Sequence, residues 1–82
     1  MAKSIAIVED DPDQRANYVD AITKKGYKVV AYSSRLEAFA GFDRELPDLA
    51  VLDIILGDEV DAGFEICRDL LVRSPSLPVI FL

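Results

Sequence analysis

The sequence predicts an α/β fold, a parallel sheet with helices on both faces, built in the order β-α-β-α-β-α-β. Three observations carry this. Short apolar runs rich in β-branched residues alternate with longer stretches of helical period. Capping residues and breakers stand at the junctions. Acids follow the first and third apolar runs directly, where such a sheet opens to ligands.

The first run, Ser4-Ile5-Ala6-Ile7-Val8, is continuous and reads as a strand buried on both faces. Glu9-Asp10-Asp11 stops it. Asp11 then serves as N-cap, with Pro12 at the first helical position and Gln14 closing a capping box. Ala16, Val19 and Ile22, with Tyr18 beside them, form the inward face of that helix, and Gly26 ends it. Tyr27 to Tyr32 alternate as a second strand. Ser34 and Glu37 mark another capping box, and Leu36, Phe39, Ala40 and Phe42 supply the next helix face. Pro47 stops that helix. Leu49-Ala50-Val51-Leu52 is a third buried strand with Asp53 at its end. Gly57 to Gly63 form a polar loop, and Phe64, Cys67, Leu70 and Leu71 stripe a third helix. Ser74-Pro75 breaks it before a fourth strand, Pro78 to Leu82.

Composition narrows the function. The chain has 82 residues, enough for one domain, and 51% hydrophobic content supports a packed core. A formal net charge of -6, with only 9 Lys and Arg, argues against direct nucleic-acid binding and against an anionic membrane. With no histidine and a single cysteine, Cys67, there is no internal disulfide, no thiolate–imidazole zinc site and no His-based triad. Any metal must be a hard cation held by oxygen. No signal peptide or membrane-spanning run is evident, so the cytosol is the expected compartment. Cys67, on the inward side of its helix, reads as a structural thiol.

Glu9 and Asp10 follow the first strand and Asp53 the third. If those strands are neighbours, the carboxylates meet in one pocket, where their mutual repulsion calls for a cation. Oxygen ligands alone suit Mg2+. An isolated acid at a strand end is usually a solvated loop residue. Asp53, however, is flanked by Leu52 and by Ile54-Ile55-Leu56, and has no local solubility task.

These segments resemble response-regulator receiver domains of two-component signalling. Ile5-Ala6-Ile7-Val8-Glu9-Asp10-Asp11-Pro12 is similar to their first strand and acidic pair, and Pro47-Asp48-Leu49-Ala50-Val51-Leu52-Asp53 to their phosphoacceptor strand. Gly63-Phe64-Glu65-Ile66-Cys67 resembles the start of their third helix, and Leu77-Pro78-Val79-Ile80-Phe81-Leu82 their fourth strand. The resemblance implies a flavodoxin-like doubly wound parallel sheet with strand order 2-1-3-4. It implies that Asp53 accepts a phosphoryl group from a sensor histidine kinase. It also implies that Asp10 and Asp53 ligate Mg2+ directly, Glu9 mostly through water, and that the backbone carbonyl of Ile55 adds a ligand. On this reading the chain is a signalling phosphoprotein and not an enzyme in its own right.

Two departures stand out. Gly57 occupies the position where the family usually has proline, and the loop from Asp53 to Gly63 is two residues longer than the common form. This loop resembles that of regulators associated with a dedicated proteobacterial sortase system. Its Asp58, Glu59 and Asp61 read as an exposed acidic stretch with a lesser claim to influence metal access. The stop inside an apolar strand predicts a partial receiver domain over residues 1–82, lacking the fourth helix, fifth strand and fifth helix, and with them the Ser or Thr and the Lys that bind the phosphoryl oxygens. Phosphotransfer by such a fragment is expected to be impaired. Its open fourth-strand edge predicts a homodimer or a domain swap, and the alternative function is a self-association module without phosphotransfer. A haloacid-dehalogenase-like phosphatase fits less well, because Ile55 stands where that chemistry needs a second Asp.

Overall fold

The computed structural model describes residues 3–53 and 61–82. Its elements are β1 (Ser4–Val8), α1 (Pro12–Lys24), β2 (Lys28–Tyr32), α2 (Arg35–Arg44), β3 (Leu49–Leu52), α3 (Ala62–Arg73) and β4 (Val79–Phe81). All pairings are parallel and the strand order is β2-β1-β3-β4, the order the resemblance implies. β1 lies between β2 and β3, and every one of its residues is buried, as expected of a two-faced central strand.

Capping chemistry sets the helix limits. The Asp11 side chain accepts from the backbone N–H of Asp13 at 2.9 Å and of Gln14 at 3.2 Å, with Pro12 filling the position whose N–H would be unpaired. Gly26 closes α1 with φ +95, a left-handed conformation that a side chain would strain. At α2, Ser34 Oγ accepts from Glu37 N–H at 3.2 Å. Glu37 in turn reaches one residue further back than a standard box, accepting from Ser33 N–H at 2.7 Å and Ser33 Oγ at 2.6 Å. At the start of the sheet, Asp48 ties β3 to β1: its carboxylate accepts from Ser4 N–H at 2.7 Å, and its N–H donates to the Ser4 carbonyl at 2.8 Å.

The two faces of the sheet differ. Ala6, Val8, Ala50 and Leu52 point to one side, where Ala38 and Phe42 of α2, Ala62, Ile66 and Leu70 of α3, and Leu77 close a continuous core. Tyr32 crosses Phe42 edge-on, with ring centroids 5.6 Å apart. A Cβ at Gly41 would overlap the Tyr32 ring, so glycine there lets α2 approach the sheet. The opposite face carries Ile5, Ile7, Leu49, Val51 and Ile80. There α1 packs on β1 and β2, and a groove of about 490 Å³ runs between Ile22, Tyr27 and the β3–β4 half of the sheet.

This asymmetry corrects the predicted helix faces. No residue of α1 is buried: Ala16 is exposed, and Tyr18, Val19 and Ile22 are half-covered. α2 buries Ala38, Gly41 and Phe42 and leaves Leu36 exposed. α3 buries Ala62, Gly63, Ile66 and Leu70 and leaves Phe64 and Leu71 exposed. The buried stripes pass through Phe42, Ile66 and Leu70 together with the small residues Ala38, Gly41 and Ala62, and Leu36, Phe64 and Leu71 lie outside them. Phe64 pairs instead with Phe81 of β4, ring centroids 5.4 Å apart. Cys67 is half-buried against the core, consistent with a structural thiol. Among the described residues, no helix is long and apolar enough to cross a membrane.

Candidate functional site

The ladder between β1 and its neighbours brings the acids together. Val8 pairs with Leu52 and with Tyr32, so these strands end level with one another. Beyond the last pairs, Glu9 N–H donates to the Tyr32 carbonyl at 3.0 Å and Asp53 N–H to the Val8 carbonyl at 3.1 Å. The backbones that carry Glu9 and Asp53 are thereby fixed side by side. Asp10 follows on the turn into α1.

Glu9, Asp10 and Asp53 each place a carboxylate oxygen within 4.8 Å of the other two. The three differ in access: Glu9 is buried at 3% exposure, Asp53 is intermediate and Asp10 is exposed. The pocket is therefore graded from a dry floor at Glu9 to a wet rim at Asp10. Ile55, Asp58 and Glu59 lie outside the described residues. Asp61 is the N-cap residue of α3, and its carbonyl accepts from Glu65 N–H at 3.0 Å.

Electrostatics marks Glu9 as the stressed member. Its carboxyl is pushed up to about 7, first by burial, then by a hydrogen bond with Asp53, and further by the negative charges of Asp53, Asp10 and Asp11. Its Oε2 is buried with no hydrogen-bond partner. A buried acceptor left unsatisfied is costly, and a bound proton or a cation relieves that cost. The donor set is entirely oxygen, part buried and part open to water. That fits a hard, partly hydrated divalent cation such as Mg2+.

One contributor to this site is absent from the sequence reading. Arg15, in the first turns of α1, donates from Nη1 to the Glu9 carbonyl at 2.9 Å and to the Asp10 carbonyl at 3.4 Å. The available signal was positional: it is the lone cation in the acid-rich run from Glu9 to Arg15, one helical turn beyond the N-cap Asp11.

Residues 5–82 match the response regulator receiver domain family. The transcriptional regulatory protein CreB of Escherichia coli is 32% identical over 80 residues, covering 98% of this chain and 34% of CreB. The response regulator receiver protein CpdR of Brucella abortus is 32% identical over 80 residues, covering 98% of this chain and 65% of CpdR. Among solved structures, the non-phosphorylated HemR receiver domain from Leptospira biflexa superposes with a TM-score of 0.86 at 26% identity, over 96% of this chain and 62% of that one. The chain spans about a third of the length of several curated regulators that it matches.

Proposed function

This chain belongs to the response regulator receiver domain family, and from that premise we propose that Asp53 accepts a phosphoryl group from a sensor histidine kinase in a Mg2+-dependent reaction. The observation that supports this most is the convergence of Glu9, Asp10 and Asp53 oxygens within 4.8 Å at the ends of β1 and β3. In this reading Asp10 and Asp53 would hold the metal directly and Glu9 would act mostly through water.

An Asp53 carboxylate oxygen attacks phosphorus in line with the phosphohistidine nitrogen. The P–N bond breaks, its electron pair stays on the imidazole, which takes a proton, and an acyl phosphate forms on Asp53. Bound Mg2+ supplies charge neutralisation for the transferring group. The protein's own part is positional. The Asp53 backbone is held by the Val8 carbonyl, and Glu9 forms the dry floor that favours a cation over an empty, mutually repelling cluster. The chain receives a phosphoryl group as a signal and acts as no independent enzyme, in the cytoplasm.

Incubation with acetyl phosphate and Mg2+, followed by intact-mass measurement, tests this. A gain of one phosphoryl group that disappears in Asp53→Ala is the expected result, and equal labelling of both proteins removes Asp53 from the role.

A further inference from the structure

We propose that Arg15 is a positioning residue for the cation: it fixes the turn that carries Glu9 and Asp10 so that their carboxylates meet Asp53. The inference rests on the Mg2+ reading above and adds to it a residue outside the acidic cluster. Three successive carbonyls of the turn accept from this one residue. The guanidinium Nη1 donates to Glu9 at 2.9 Å and to Asp10 at 3.4 Å, and the Arg15 backbone N–H donates to Asp11 at 2.9 Å. The Asp11 side chain is itself committed to capping α1. The whole link from β1 to α1 is thus tied to the first turns of the helix.

This matters most for Asp10. Its side chain is exposed, so core packing does not orient it, and the turn that carries it is held by Arg15. Glu9 is oriented by burial, and the Asp53 backbone by the ladder. Metal ligands require positioning to within a fraction of an ångström, and groups that hold the ligands govern affinity nearly as strongly as the ligands themselves.

Charge and positioning make opposite predictions, which gives the test its sign. A guanidinium beside the pocket repels a cation through space, so if charge alone acted, removing it would tighten Mg2+ binding. If positioning dominates, removal weakens binding. Mg2+ titration by calorimetry, with metal-free melting curves alongside, compares the wild type with Arg15→Met and Arg15→Lys. Arg15→Met keeps the aliphatic stem and is expected to weaken Mg2+ binding about tenfold. Arg15→Lys, which retains a donor on a shorter arm, is expected to recover part of that loss. Should Arg15→Met fail to fold, the lysine variant alone decides, with binding weaker than wild type expected. Binding equal to or tighter than wild type in the variants overturns the proposal. So does a loss confined to the metal-free melting temperature. A wild-type protein that takes no Mg2+ overturns the metal reading itself and this inference with it, a result distinct from wild-type binding that the variants share.

Discussion

The two faces of the sheet are held by different physics. Beneath α2 and α3, Val8, Leu52, Ile66 and Leu70 are fully buried and the core is continuous. Across the sheet, α1 has no fully buried residue, and polar bonds join it to the site: the Asp11 cap and the Arg15 bonds to the preceding turn. The first face buries apolar residues of helices and sheet alike, whereas on the second the sheet residue Ile7 is fully buried while α1 above it stays partly open. The second carries the turn that presents Glu9 and Asp10. A site whose carboxylates repel one another needs a firm base, which β1 and β3 supply from the packed side. It also needs a turn held by directional bonds, because Asp10 and Asp11 on that turn are exposed and packing does not fix them.

The largest expected effect tests this division directly. Leu70→Ala removes a fully buried side chain and is expected to cost about 2–5 kcal/mol in chemical denaturation. Ile22→Ala, on the half-covered α1 face, is expected to cost well under that. Equal losses would mean that α1 is packed as tightly as its counterparts.

Next comes the pH dependence of the metal-free protein. The Glu9 carboxyl titrates near 7 in the fold and at about 4.5 when unfolded. Between those values the folded state binds the extra proton. The stabilisation is therefore complete below about 4.5 and is lost as the pH rises through 7, by up to about 3 kcal/mol. Denaturation at pH 5 and pH 8 is expected to show this decline. Glu9→Gln is expected to flatten it, and saturating Mg2+ to offset it at pH 8. A variant that declines as steeply as the wild type would assign the effect to another group.

The smallest effect concerns the close approach that makes the packed face dense. Gly41→Ala pushes a methyl group into the Tyr32 ring and is expected to cost about 1–2 kcal/mol, read as a lower denaturation midpoint with an unchanged slope. No loss would show that the ring swings aside freely.

Much of this molecule is legible in its residues because the signals are local. A β-branched run bounded by acids is a strand wherever it ends up, and Asp11-Pro12 starts a helix through bonds made within four residues. The alternation of strands and helices, the caps at Asp11 and Ser34, the stop at Gly26 and the acids at the strand ends are all of this kind. The tertiary structure decided what depends on neighbours distant in sequence. It put β1 beside β3, which turns Glu9, Asp10 and Asp53 from scattered acids into one pocket. It chose Ala38, Gly41 and Ile66 over Leu36 and Phe64 as buried contacts, because the distance of approach depends on Tyr32 and the strands beneath. It also raised the Glu9 pKa, which burial and the charge of Asp53 set together and which no run of sequence around residue 9 encodes.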